Sequence, residues 1–398
     1  MKVKLPYRLS MLCLCAAVAL PALSDSGSSY KKNMFNPVRT SVTSLSIAPD
    51  ARAGAMGDVG AATEADANSQ YWNPAKYPFN IARAGVSVSY TPWLRKLVND
   101  INLANMAGFY RIGDYSAVSA SLRFFSLGEV FLSDMEDMTI NPYEFAVDAG
   151  YSRMLSERFS MAVNMRFIFS DIRYDYTAES KAGKAFAADI ALYRLGYFMM
   201  GNRECSFGWG LNINNIGSKI AYGGDDNAEF IPTNLRLGMN MTVPFNEYNK
   251  FSVAVDANKL LVPTFPKQDT ENGETESDYT DRVQKEYYDV SPIAGIFKSF
   301  HDAPNGFKEE MQEIQWSVGC EYTYNDRFML RGGYHHESAN KGNRKYFTVG
   351  AGFHMSVFTV DAAYVFSTSQ TNPLYQTMRF TLGFDLDGMK DLFGRRRR

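Results

Sequence analysis

Apolar and polar residues alternate with a period of two in segment after segment of this chain. From Met161 to Phe169, the residues Met161, Val163, Met165, Phe167 and Phe169 alternate with Ala162, Asn164, Arg166 and Ile168. From Asn234 to Val243, the residues Leu235, Leu237, Met239, Met241 and Val243 alternate with Asn234, Arg236, Gly238, Asn240 and Thr242. Phe358, Val360, Ala362, Tyr364 and Phe366 do the same against Thr359, Asp361, Ala363, Val365 and Ser367, and Met378, Phe380, Leu382 and Phe384 against Thr377, Arg379, Thr381 and Gly383. Successive side chains of a strand point to opposite faces, so each segment has one greasy face and one wet face. The runs are about 9–13 residues long, the span of a tilted transmembrane strand; soluble strands average roughly 5–6.

About fourteen such segments are expected, near 83–91, 102–112, 115–126, 142–154, 157–171, 184–198, 204–215, 233–243, 248–258, 313–324, 327–337, 345–355, 357–367 and 375–385. Their connections alternate between short turns, such as Gly113-Asp114 and Asn325-Asp326, and long loops at 92–101, 127–141, 172–183, 216–232, 259–312, 338–344 and 368–374. A meander crossing a membrane produces this alternation, with tight periplasmic turns and longer external loops; a sandwich has no reason to. The fold class is therefore all-β: a 14-stranded antiparallel transmembrane β-barrel. An even strand number returns both ends of the chain to the periplasm. Composition agrees. Aromatics make up 14% of the chain, yet mean hydropathy is only -0.27, as in a barrel whose alternate residues meet lipid. Trp93, Trp209 and Trp316 are candidates for the interfacial aromatic girdles.

The first residues read as a secretory signal. Lys2, Lys4 and Arg8 precede an apolar run from Met11 to Leu20, and Ala22 and Ser24 supply small residues for cleavage near Ser24-Asp25. A retained membrane anchor is the alternative. Export and barrel assembly place the protein in the outer membrane of a Gram-negative cell. The expected organisation is a signal peptide at 1–24, an N-terminal extension and lumen plug at 25–80, a barrel at 81–386 carrying the long external loop 259–312, and a basic tail at 387–398. Within that loop, Gln268 to Asp281 is acidic and poor in apolar residues, which reads as a mobile solvated stretch. Ser291 to Phe300 reads as a short helix whose Ile293, Ile296, Phe297 and Phe300 share a face, packing on the rim or docking a partner.

No catalytic constellation, cofactor fingerprint or metal-ligand spacing is present, so neither an enzyme nor a cofactor is expected. His335 and His336, adjacent on a strand, read as surface histidines. Cys205 and Cys320 read as isolated small apolar residues rather than a disulfide. A formal net charge of -2 gives no sign of nucleic-acid binding. Charged residues instead fall on the polar faces of the strands: Arg123, Asp148, Arg166, Arg236, Asp256, Glu321, Arg331, Asp361 and Arg379. Buried charges need partners or water, so this set reads either as an internal network holding a plug or as the lining of a substrate conduit. The segment from Leu45 to Pro78 is rich in Gly and Ala and lacks strand character, which suits a tightly packed plug.

The stretch Ala51-Arg52-Ala53-Gly54-Ala55-Met56-Gly57-Asp58-Val59-Gly60-Ala61-Ala62-Thr63, then Asp66 and Trp72-Asn73-Pro74-Ala75, resembles the N-terminal signature of the FadL/OmpP1 superfamily. Those proteins are fourteen-stranded barrels with an N-terminal plug. With Ser69 to Lys76, Tyr90-Thr91-Pro92-Trp93-Leu94 and Phe230 to Gly238, the chain is similar, over essentially its whole mature length, to the PorV (LptO) family of type IX secretion in Bacteroidota. The resemblance carries Arg52, Gly54, Met56, Gly57, Asp58, Asp66, Trp72, Asn73 and Pro74 over as plug residues. It implies that cargo is taken from the translocon by its C-terminal signal domain and delivered to a surface attachment complex of PorU, PorQ and PorZ, alongside contact with outer-membrane lipid. The alternative is a FadL-type channel for hydrophobic small molecules.

Overall fold

A computed structural model describes residues 35–386 except 96–97, 99, 133–137, 173–180, 224–226, 270–272 and 368–376. The expected signal peptide and basic tail lie outside the described residues. Fourteen strands close one antiparallel barrel: β1 (Ala84–Pro92), β2 (Asn102–Ile112), β3 (Ser116–Ser126), β6 (Tyr143–Ser156), β7 (Phe159–Asp171), β8 (Gly183–Met200), β9 (Arg203–Gly217), β10 (Asn234–Pro244), β11 (Asn249–Leu260), β12 (Gln315–Tyr324), β13 (Phe328–His336), β14 (Lys345–Met355), β15 (Phe358–Ser367) and β16 (Met378–Asp385). A short hairpin, β4 (Val130–Leu132) with β5 (Met138–Ile140), stands in the 127–141 loop.

The alternation sets the register. At the closing seam Val86, Val88 and Tyr90 of β1 face Phe384, Leu382 and Phe380 of β16, so outward pairs with outward. A slip of one residue would put every apolar side chain into the lumen. Met165, Met239 and Val318 are exposed on the outer face, while Asn164, Asp189 and Asp256 are buried inside. Short turns gather at one end. Asn325 and Asp326 both have positive φ, at 53° and 52°, as a tight hairpin turn with the right twist requires. The long loops gather at the opposite, external end. One of them carries α3 (Glu276–Val283), α4 (Pro292–Lys298) and α5 (Phe307–Gln312).

The plug descends through the lumen. Leu45 packs with Ile168, Ala185 and Ile231 near the external end. Below it come a helical turn, α1 (Ala51–Gly54), a second, α2 (Ser69–Trp72), and a 3-10 stretch Pro74–Phe79. Tyr77 stacks on Phe109 at 4.8 Å, and the guanidinium of Arg111 donates to the carbonyl of Asn80 at 2.7 Å, close to the periplasmic turns.

Several expectations need correction. An even strand number brings Ala84 and Asp385 to the same periplasmic end, but residues 35–41 lie among the external loops. The amide of Asn36 donates to the carbonyl of Asn340 at 2.7 Å, and that of Ser41 to the carbonyl of Phe230 at 2.8 Å. Strand parity does not govern a segment that threads the lumen. The acidic stretch is not wholly irregular. Thr275 caps α3, accepting from the amide of Asp278, and Glu276 and Asp278 lie at the favourable N-terminal end. Ser291 caps α4, accepting from the amide of Ala294, but Ile293, Phe297 and Phe300 are exposed. Trp93 is no girdle residue: it packs with Ile47 of the plug, Leu103 and Phe125. His335 is buried, bonded to Ser317 Oγ at 2.9 Å and stacked on Tyr346.

Met239 sits mid-strand on the lipid face of β10. Met239→Arg is expected to cost about 2–4 kcal/mol of barrel stability. The shift of the folding midpoint in denaturant titrations into lipid vesicles checks this.

Candidate functional site

The lumen is a contact surface between plug and wall. Its local structure starts from Asp50, which accepts from the amide of Ala53 at 2.9 Å to cap α1 and from Trp72 Nε1 at 2.5 Å, joining the two plug helices. Gly57 then takes φ 73°, and a Cβ there would lie 2.7 Å from the backbone nitrogen of Tyr334. Its amide donates to Thr348 Oγ1 at 2.8 Å. Asn73 donates to the carbonyls of Ala61 and Leu192, each at 2.9 Å, and accepts from the amide of Ala75; Pro74 opens the 3-10 turn it caps. Met56 is fully buried beside Val59 and Ala254. Gly319 and Gly333 make room for it: a Cβ on Gly319 would lie 2.4 Å from Met56 O, and one on Gly333 2.1 Å from Met56 C.

Charges lock this packing. Arg166 of β7 stands between Asp148 of β6 and Asp189 of β8, with Nη2 at 2.9 Å from each carboxylate. Gln70 of the plug donates to the other oxygen of Asp148 at 2.7 Å. Across the lumen, Arg331 joins Glu321 at 2.6 Å and Asp361 at 2.5 Å. Glu321 also holds Arg52 of the plug at 3.1 Å, and Arg52 reaches Asp66 at 3.0 Å. Arg379 pairs with Asp58 at 2.5 Å, over Gly54, where a Cβ would meet the Arg379 guanidinium at 2.4 Å. Asp256 accepts from the amides of Gly60 and Ala61 at 2.8 and 3.0 Å. Arg123 donates to the carbonyls of Ser44 and Ile47. Arg236 donates to Asn258 at 2.8 Å and lies over the Trp72 ring at 4.3 Å.

The structure thus brings Arg123, Asp148, Arg236, Asp256, Glu321 and Arg379 onto the plug, while Arg166, Arg331 and Asp361 hold wall carboxylates and guanidinium in place. Sequence reasoning missed Asp189, although it falls on the polar phase of β8 with Ala185, Ala187 and Ala191, opposite Phe186, Ile190 and Leu192. It also missed Gly319 and Gly333, whose signal is a glycine on the inward phase of a regular strand. A cavity of about 70 Å³ remains, lined by Tyr71, Asn214, Arg236, Asn258, Gln315 and Arg344.

The external rim has its own charge cluster. Lys259 binds Glu310 at 3.0 Å and also Glu313, and Lys341 binds Glu309 at 2.6 Å and Glu313 at 3.0 Å. Asn36 donates to Glu309 at 3.2 Å, and Arg39 lies 4.4 Å over Phe265, tying the N-terminal segment to this loop. Burial alone would raise the Glu309 carboxyl, but Lys341 outweighs it and holds the group below its ordinary value. Burial, then the Glu229 carboxylate, pushes the Tyr287 hydroxyl up. The Tyr287 hydroxyl lies 3.2 Å from the Arg39 carbonyl and 3.4 Å from Glu229.

A family model described as type IX secretion system protein PorV matches residues 30–267, more than half of the chain. The chain belongs to the PorV family. It is an outer-membrane component of the type IX secretion system. In this PorV-family chain the matched region takes in the whole plug and strands β1–β11. Among solved structures, a TodX mutant monoaromatic hydrocarbon channel superimposes with a TM-score of 0.50 at 10% identity, over 84% of this chain and 98% of that one. The Pseudomonas putida toluene transporter TodX gives 0.47 at 10% identity, over 83% and 96%. At such identities the likeness shows the fold alone. No curated protein matches in sequence.

Arg166→Met leaves Asp148 and Asp189 buried without their common cation. It is expected to cost about 3–5 kcal/mol, read as the loss in unfolding free energy of the barrel in detergent.

Proposed function

We propose that this protein binds the C-terminal signal domain of type IX cargo at the translocon and carries it to the attachment complex with PorU, PorQ and PorZ. The protein acts as a binding partner and not as an enzyme. Cargo docks on the external rim while the lumen stays closed. The observation that carries this reading is the tie between plug and wall: buried ion pairs and amide–carboxylate bonds hold the plug on several sides of the barrel. A folded domain has no passage through such a lumen. The rim offers a structured surface instead, with the helix-bearing loop between β11 and β12 tied to Asn36 and Arg39.

The competing reading is a channel for hydrophobic small molecules, favoured by the fold shared with a monoaromatic hydrocarbon channel. The lumen cavity argues against it. It is small, and its lining mixes Leu45, Trp72 and Leu260 with asparagines, Asp58, Arg236 and Arg344, whereas sites for apolar ligands are predominantly apolar.

The test is affinity purification of the tagged protein from native outer membranes, followed by mass spectrometry. Secreted proteins with C-terminal signal domains still attached, together with translocon or attachment subunits, are the expected partners. Recovery of the barrel alone with bound fatty acid or other small apolar molecules would transfer the assignment to the channel. Deleting residues 273–283, which include α3, separately asks whether that helix contributes to cargo docking. The expected result is reduced cargo recovery with the barrel still folded.

A further inference from the structure

A surface helix of a water-soluble domain turns its apolar side inward and its charges outward. The two helices α4 and α5 do the opposite. In α4 the buried residue is Gly295, where an added Cβ would lie 2.9 Å from the Phe230 ring and 3.1 Å from Pro263. Ser299, just beyond it, is also fully buried. Ile293 and Phe297 are 64% and 68% exposed, and Phe300 is 48% exposed. In α5 Glu309 and Glu310 are buried against Lys341 and Lys259, while Phe307 and Met311, one helical turn apart, face out. Phe307 is 78% exposed. Polar inside and apolar outside is the pattern of the barrel wall itself.

The position of these helices explains the inversion. Lys259 lies on the outward phase of β11, in line with the exposed Val253 and Val255 and opposite Leu235 of β10. It is nevertheless buried, because Glu310 and Glu313 cover it and the Phe300 ring lies 5.9 Å away. α5 and the end of α4 therefore reach over the outward phase of the wall, at the external end of the lipid-facing columns, while Gly295 of α4 packs on Phe230 and Pro263 of the external loops. Chain continuity says the same. α5 ends three residues before β12, whose outward column starts with Trp316 and continues through Val318 to Tyr322, all exposed. The apolar residues of the helices thus stand beside the lipid-facing belt, with Lys308 exposed between Phe307 and Met311.

We propose that α4 and α5 lie in the outer leaflet of the membrane, with Ile293, Phe297 and Phe300 and the pair Phe307 and Met311 among lipid acyl chains. A helix with one strongly apolar side lies flat at the headgroup boundary with that side about 5–10 Å into the acyl region. The inner, charged side of α5 stays paired with Lys259 and Lys341 of the rim. The outer loop is thereby held at a fixed height beside the barrel. This inference rests on the outer-membrane location and is independent of the cargo reading.

Nitroxide accessibility in lipid nanodiscs tests it with the full chain. With Cys13, Cys15, Cys205 and Cys320 all replaced by Ala, single labels are placed through Phe297→Cys and Phe307→Cys. Val318→Cys serves as a lipid-facing reference and Glu276→Cys as an aqueous one. Collision rates are compared for oxygen, which concentrates in lipid, and a nickel chelate, which stays in water. The labels at 297 and 307 are expected to favour oxygen as the label at 318 does, whereas the label at 276 favours nickel. Free collision of nickel at both 297 and 307, at the rate seen at 276, would overturn the proposal and leave this face for a protein partner. Folding of each variant is checked by the heat-shifted mobility of the barrel, and Ile293→Cys replaces either variant that fails it.

Discussion

Buried charge between plug and wall is the interaction on which this structure depends. A barrel of about eight strands can fill its interior with its own side chains; fourteen enclose far more space. The chain fills it with residues 45–80, and so brings a second surface, with its own backbone amides and carbonyls, into a lumen removed from bulk water. Every polar group there needs a partner. The wall supplies many of them. Asp256 takes two plug amides, Arg123 takes two plug carbonyls, and Glu321 and Arg379 take Arg52 and Asp58. Remove one partner and the other is left desolvated, which is why such pairs fix geometry more than they add stability.

The same logic acts twice more, further from the axis. On the lipid face the surroundings are apolar, so the wall turns its valines, methionines and aromatics outward. At the external rim Lys259, on that outward phase, is covered by two carboxylates of the loop. The loop is shaped by this need, and it in turn receives Asn36 and Arg39 from the segment that leads into the plug. Plug, wall and rim are therefore joined by direct contacts at the end of the barrel that faces out of the cell. This favours cargo capture on a rim of fixed shape over passage through an opening lumen.

The barrel was legible because its period is short and repeated. Strand bounds agree to within about three residues throughout, and β2 and β14 agree at both ends. A period of two assigns each residue to a phase, and charge on one phase tells which phase is wet. What the pattern does not carry is distance along the chain. Nothing local in Asp58 or Arg379, more than three hundred residues apart, says that they meet. Helix faces are harder still. The face shared by Ile293, Phe297 and Phe300 was visible, but its direction depends on whether lipid or water surrounds the helix, and that depends on tertiary placement. Trp93 and His335 fail for a related reason. A tryptophan at a strand end and a histidine near a loop are usually interfacial or exposed, and here the plug offers both an interior to enter.

The account stands most directly on the plug remaining in place while cargo is handled. Ala55 of the plug and Ala363 of β15 share one buried cluster. A disulfide between cysteines introduced at these two positions would lock plug to wall in living cells, and a reductant would release it. Secretion and surface attachment of cargo should proceed at the unlocked rate in the oxidised, cross-linked protein. Arrest of secretion on cross-linking, with recovery on reduction, would show that the plug must move and would contradict cargo transfer over a closed lumen.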